Sequence, residues 1–473
     1  MHMLKTSALA CAVALAGCGA ITRTPYEAPQ VALPAQFEHA QASSPTATPT
    51  PTPMTTPTPT PTPMTDAWWH GFGDPRLDAW IDLALARNPD MATAGIRVRR
   101  AALQAQLAGH ALLPQPSGSV GTGASRPLSG SQRSTLENAS ATLGVAWELD
   151  LFDRLGAQRD AAVFEAQASV QDRDAVALSL TTTTASLYWQ LALANERLDM
   201  SRQSLEYVRR TIDLVQAQYR SGAVSGLELR EARQALAEQQ ALLSQYTQAR
   251  AELRQALAEL LQGAEPPGGE PQALPVADLP AVQPGLPADL LGRRPDLRAA
   301  ELRLRGALAG SDATAASYYP RLSLTGSLGT SSSTLLDVLA NPVAALGANL
   351  ALPFLNVREM RLNTAIARSQ YEEAVVNFRK TLYAALAETE KSLSARTELA
   401  RQEEAQQRAT QESVEITRLY EARYRAGQVP LRTWLDAQER RRAAQLALSA
   451  LHLARLQNQL TLHKALGGGW PAS

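Results

Sequence analysis

Cysteine is almost missing from this sequence. Only Cys11 and Cys18 occur, both within the first 18 of 473 residues, so the remaining chain has neither disulfides nor thiolate metal sites. The six histidines (His2, His39, His70, His110, His452 and His463) are scattered, with no metal-ligand spacing and no nucleophile–base pattern. The run "GSVGTG" from Gly118 is followed by no lysine and opens no helix, so it is not a phosphate loop. Excess charge is missing as well. Lys+Arg and Asp+Glu number 45 each, and bulk charge offers nothing to a nucleic acid. Aromatics make up only 5%. These absences argue against an enzyme, a metal protein and any bound cofactor.

Ala, Leu, Gln, Arg and Glu fill long stretches, as in extended helices. Ahead of them stands "MHMLKTSALACAVALAGC", one lysine and an apolar run from Ala8 to Ala16 that is too short to span a bilayer, which reads as a secretory signal over residues 1–17. Leu15-Ala16-Gly17-Cys18 resembles the bacterial lipobox, which implies cleavage before Cys18 and acylation of that residue; Gly19 after it favours the outer membrane. From Pro45 to Met64 alternating Pro and Thr form a polyproline-II spacer, with a glycosylated stalk as the alternative. Residues 18–66 are therefore read as anchor and linker.

The rest of the chain says almost everything twice. Pro89 and Pro114 recur as Pro295 and Pro320, each 206 residues later, and "YRSGAVSG" from Tyr219 recurs as "YRAGQVP" from Tyr424, 205 residues later. This is tandem duplication of a whole unit, over residues 67–265 and 266–473. Each unit begins with a helix of about 25 residues between two prolines. Segments of period two come next, expected as β-hairpins at about 117–149 and 321–353. In "ASATLGVAWEL" Ala141, Leu143, Val145 and Trp147 alternate with small or polar residues; "LSLTGSLG" and "LGANLAL" do the same, and "SGSVGTGAS" is the weakest. Apolar against Ser, Thr, Gly and Asn suits a barrel with lipid outside and water inside, though an ordinary half-buried sheet has the same period.

No proline occurs from Arg154 to Tyr219 or from Arg358 to Tyr424, so each run reads as a very long helix with a second running back, in hairpins at about 154–262 and 357–466. Leu229, Leu236 and Leu243, and again Leu446, Leu453 and Leu460, fall seven apart, the spacing of coiled-coil packing. Gly222, Gly427 and Pro430 mark the reversals at the tips. Four strands cannot close a membrane barrel, whose smallest single-chain form has eight. The expected fold is mixed and mainly α: long antiparallel helical hairpins forming a tube, and four strands pooled with those of other copies.

The lipobox at Cys18, "WELDLFDRL" from Trp147, "YYPRLSLTGSLG" from Tyr318, "YRAGQVPLRTWLDAQ" from Tyr424 and "HKALGGGW" from His463 together resemble the TolC-like outer-membrane efflux factors, in their lipidated OprM/NodT branch. The resemblance spans about Trp68 to Trp470. It implies a homotrimer whose twelve strands close one barrel in outer-membrane lipid, and a passive exit duct joined by a periplasmic adaptor to an inner-membrane pump of the RND type, exporting drugs or other small toxic molecules. It also implies an iris at the periplasmic tips. Carried onto this chain, Asp436 matches the axial carboxylate, Tyr424 the latch tyrosine and Glu228 approximately its acidic partner; Arg425 and Arg432 are nearby cations, neither on the family's latch arginine, and read as solvated helix ends. Three Asp436 carboxylates converging on an axis repel one another and favour opening when ionised. Trp434 beside it reads as packing. Three other readings stay open: a duct for metal-ion efflux, a duct for type I protein secretion, and a lipid-tethered structural coiled coil.

Overall fold

In a computed structural model of the chain, residues 22–39, 67–126, 135–275, 279–280, 282, 285–332 and 342–468 are described. Cys18, the Pro45–Met64 tract and Trp470 lie outside them. A 3-10 turn (Trp68–Phe72) leads into α1 (Pro75–Arg87) and α2 (Pro89–His110), then β1 (Gln115–Ser125), β2 (Leu136–Leu149), α3 (Arg154–Arg220) and α4 (Gly226–Leu260). The second half begins with the short α5 (Leu290–Arg293) and repeats the order as α6 (Pro295–Ala316), β3 (Arg321–Ser332), β4 (Pro342–Ala351), α7 (Val357–Arg425) and α8 (Leu431–Ala465). Matching elements have nearly matching lengths: 22 residues in α2 and α6, 67 in α3 against 69 in α7, and 35 in both α4 and α8. The proline-bounded helices are thus slightly shorter than the expected 25, because the chain turns before it reaches Pro114 and Pro320.

The chain divides into two compact units, and neither is a repeat. The first takes the described residues of 1–31 with Gly95–Asp172 and Asp296–Thr381; the second takes those of Ala32–Ala94, Arg173–Pro295 and Leu382–Ser473. Each draws on both halves of the sequence.

The first unit carries one antiparallel sheet in the order β1-β2-β3-β4. The register sets Val120 opposite Ala141, Leu143 opposite Leu328, Trp147 opposite Leu324 and Leu322 opposite Leu350. Directly paired residues share a face, so Val120, Leu143, Val145, Trp147, Leu322, Leu324, Leu328, Leu346 and Leu350 gather on one side, while Val343, opposite Gly329, falls on the other. Ser140, Thr142, Ser323, Thr325 and Asn349 occupy the other. Even Gln115–Ser125, the weakest stretch by pattern, is paired along its length. The apolar face is bare: Leu346 is 95%, Val120 88% and Leu143 67% exposed.

Beside the sheet, the described N-terminal segment is fastened rather than free. Arg23 Nε meets Asp153 Oδ2 at 2.5 Å and its Nη2 meets Asp160 at 2.8 Å. Thr24 donates from its backbone N and its hydroxyl to the buried Asp312, at 2.9 and 2.7 Å. Asp153 sits in the left-handed region at φ 56°, at the turn from β2 into α3, a conformation that costs a non-glycine residue and is held here by its arginine.

The second unit holds the main core. Asp74 caps α1, accepting from Arg76 N and Leu77 N, and its other oxygen takes the Tyr188 hydroxyl at 2.7 Å. Leu77, Trp80 and Ile81 then pack on Tyr188, Trp189 and Ala192 of α3 and on Leu456 and Leu460 of α8. Trp80 stands edge-on to Tyr188 at 5.0 Å. Between α7 and α8, small residues and hydroxyls allow close approach: Thr417 donates to the Ala437 carbonyl at 3.1 Å and Thr410 to that of Ala444 at 3.2 Å. The leucine heptad of α4 is only half-buried at Leu236 and Leu243, and the buried positions of that helix are Ala232, Gln239 and Leu257.

Near the end of α8, His463 is buried, stacked on Trp68 at 4.6 Å and 17°, with Phe72 at its edge. Burial first, and the Arg396 charge second, push its pKa down to about 4. Because the folded value lies below the usual 6.5, the unfolded chain binds the extra proton between the two. The stability this histidine contributes is therefore complete above pH 6.5 and lost as pH falls toward 4. Thermal melting of wild type and His463→Gln at pH 7 and pH 4 is expected to show the wild-type advantage shrinking by up to about 3 kcal/mol on acidification.

Candidate functional site

The two helical reversals are built alike. At the end of α3, Gly222 N donates to Tyr219 O and Ala223 N to Gln218 O; at the end of α7, Gly427 N donates to Tyr424 O and Gln428 N to Arg423 O. Both glycines lie in the left-handed region, φ 74° and 70°, so each closes its helix where a side chain would be strained. Pro430 then starts α8 with φ −70° and ψ 155°, while Ser225 starts α4.

A small aromatic core joins the ends of these helices in the second unit. Trp434 of α8 is 2% exposed, stacked on Tyr424 at 5.1 Å and 27°, with Tyr207 of α3 edge-on at 6.0 Å. Val215, Ala232 and Leu431 complete the buried set. The Tyr424 hydroxyl donates to Gln218 Oε1 at 2.7 Å. Burial raises the pKa of Tyr424, and the nearby Glu228 charge adds to that rise.

Glu228 itself is engaged on its own helix, where its carboxylate accepts from Ser225 N at 2.8 Å as the acidic member of a capping box. The tyrosine that sequence pairs with Glu228 is thus bonded instead to Gln218 of α3. Arg425 pairs with Glu421, four residues earlier on α7, at 2.6 Å. Asp436 and Arg432 are exposed and, among the described residues, have no ion pair or hydrogen bond. Both line a groove of about 260 Å³ with Tyr207, Glu231, Glu238 and Glu439. Asp436 is therefore a carboxylate free to face whatever stands opposite the groove.

Gln218, Tyr207 and Glu421 were not legible as site residues. Each sits in an unbroken helical pattern more than 200 residues from its partner, and no local signal marks it. His39 and Glu390, brought together at the surface, are likewise 351 residues apart.

Comparison with known proteins bears on this geometry. The model of the outer membrane efflux protein family matches the chain twice, over residues 80–263 and 286–468. The chain belongs to the outer membrane efflux protein family. This efflux protein is 34% identical over 421 residues to the pyoverdine export outer membrane protein OpmQ of Pseudomonas putida, covering 86% of this chain and 88% of that one. Among solved structures it is similar to CusC, with TM-score 0.82 and 27% identity, covering 94% of this chain and 99% of that one. It is similar also to the open state of the Neisseria gonorrhoeae outer membrane channel MtrE, with TM-score 0.80 and 28% identity over 94% and 97% of the two chains. The efflux protein is thus an outer-membrane channel component, mainly helical, with four strands among the described residues.

Since Gly427 adopts φ 70° with open space around it, the cost of a side chain there is purely conformational. Gly427→Ala is expected to weaken the second tip by about 1 kcal/mol, read as faster backbone amide exchange at residues 423–431 than in wild type.

Proposed function

We propose that the protein is the exit duct of a tripartite efflux pump, passing drugs or other small toxic molecules out across the outer membrane. The observation that carries this reading is the sheet. Its strands present Val120, Leu143, Trp147, Leu328 and Leu346 on one largely exposed face and Ser140, Thr142, Ser323, Thr325 and Asn349 on the other. Such a sheet fits lipid on one side and water on the other only when copies join edge to edge into a closed barrel. A homotrimer of twelve strands satisfies this, since β1 and β4 are the outer strands of each copy. The exposed stripe Ile96, Leu103 and Leu107 on α2 supplies further apolar surface for a second copy to cover.

The duct supplies no energy. A periplasmic adaptor and an inner-membrane pump of the RND type would do so, with the adaptor meeting the helical hairpins. Cys18 would carry the lipid anchor. The likeness to a protein named for pyoverdine export favours small-molecule cargo over secreted proteins. The tips form the gate. Asp436, unpaired in its groove, is the carboxylate whose copies face one another, with Tyr424, Glu228, Arg425 and Arg432 around it.

Single-channel recording in a planar bilayer tests this. Wild type should show small or flickering conductance, and Asp436→Ala a larger, steadier one; correctly assembled, membrane-inserted protein that never conducts, even with the tip opened by mutation, would return the lipid-tethered coiled coil to favour. For the anchor, intact mass of membrane-extracted protein should correspond to a chain starting at Cys18 with added acyl groups, and Cys18→Ala should lose that addition.

A further inference from the structure

The first unit has an open, largely apolar groove where its helices meet the sheet. Its volume is about 720 Å³, within the roughly 300–1,000 Å³ of sites that hold a small organic ligand. Tyr319 lines it from the link between α6 and β3, Phe354 from the 3-10 turn Pro353–Leu355, and Met360 and Ala365 from α7, with Arg361 and Arg368 as the charged members of the lining. The described N-terminal segment runs along one wall. Thr22 donates its hydroxyl to the Phe152 carbonyl at 2.9 Å, and the Phe152 ring stacks on Tyr319 at 4.8 Å. Thr24 is bonded to Asp312, one turn before Ala315, which also lines the groove. The Arg305 guanidinium, two turns further back on α6, stands 4.7 Å from the centre of the Tyr26 ring. From Tyr26 back to Thr22 the chain therefore climbs α6 toward the sheet, the end at which Tyr319 and Phe354 lie.

We propose that this groove holds an acyl chain carried by Cys18 of the same molecule. Cys18 lies four residues before Thr22, so its Cα stands no more than about 14 Å from that of Thr22. A single residue, Phe152, links Thr22 to the groove wall. The inference rests on the lipid anchor given to Cys18 above and adds where one of its chains goes. The groove lies beside the strands and not among them, since Pro320 precedes β3 and Phe354 follows β4. In the proposed duct that is the water-side edge of the hydrocarbon. Bilayer hydrocarbon solvates an acyl chain as well as the groove does, so the chain itself gains nothing by moving. The gain is the apolar surface of the groove, which the chain takes out of water. Free lipid would cover that surface equally well, but a tether of four residues makes the Cys18 chain an intramolecular ligand and gives it the site. A barrel already fixed in the bilayer needs little further anchorage, so a chain held in this way fastens the N-terminal segment to α6 and α7.

The test is photocross-linking of the full-length protein in cell membranes, followed by extraction and mass analysis. Photoreactive benzoylphenylalanine replaces Phe354 or, as a control exposed on α7 but outside the groove, Leu362. Intact mass first establishes that Cys18 is acylated. Benzophenone bonds to C–H groups that it touches, so the probe at Phe354 should join the N-terminal peptide through its acyl group, with a yield at least about tenfold that at Leu362. Ala365→Trp fills the groove from an exposed position on α7 and should lower the Phe354 yield about tenfold at an unchanged melting temperature. If that variant melts low, the comparison of Phe354 with Leu362 decides alone. In acylated protein, three products at Phe354 would each refute the proposal: added free phospholipid gives the groove to bulk lipid, a covalent dimer gives it to a second copy, and no product sends the Cys18 chains to the bilayer. A Phe354 yield that Ala365→Trp leaves unchanged would refute it as well. A Cys18 without acyl groups would remove the anchor and this proposal together, while the exit-duct reading stands.

Discussion

A backbone N–H or C=O left unpaired in hydrocarbon costs several kcal/mol, and this chain builds a sheet with two outer strands and an apolar face on which Val120, Leu143 and Leu346 are exposed. That constraint governs much else. The sheet has too few strands to close on itself, and in the duct proposed above its edges are completed by other copies. Duplication answers part of the demand within one chain, since β2 of the first half pairs directly with β3 of the second. The two halves therefore meet by strand pairing, and neither half is a compact unit alone.

Duplication also imposes near-equivalence on the helices and leaves the differences to carry function. The two reversals share a glycine in the same left-handed conformation and the same pair of closing hydrogen bonds. They differ in how the return helix begins. The first starts with the Ser225–Glu228 capping box, while the second starts with Pro430 and places Trp434 one turn later, against tyrosines from both halves. An apolar key of this kind fixes the relative angle of several helices through one well-packed side chain, and the polar bonds around it set how firmly they stay.

The N-terminal segment shows the same division between a packed scaffold and a few polar fastenings. Arg23 and Thr24 reach Asp153, Asp160 and Asp312, carboxylates set at or near the junctions between strand and helix. The start of the described chain is thereby held close to the sheet, and the Pro/Thr-rich stretch lies in sequence between this fastened segment and the Trp68–His463 stack.

Much of the architecture is determined by the sequence alone, because it is local. Period two fixes which face of each strand is apolar, Pro-free runs fix the long helices, and glycine fixes the reversals, each through a few neighbouring residues. The duplicated register then shows that these elements come in matched pairs, while Asp436 is marked only by the family resemblance of the motif around it. What lay beyond reach was pairing across distance. Tyr207 and Glu421 are 214 residues apart, Thr24 and Asp312 are 288, and the pattern around each is that of an ordinary helix or an ordinary extended segment. Nothing in the sequence tells Gln218 from the other glutamines of α3, or directs Tyr424 to it and not to Glu228. Those choices belong to the tertiary structure. They depend on how helices from two halves of the chain rotate and slide against one another, and a shift of a single turn would hand each tyrosine a different partner.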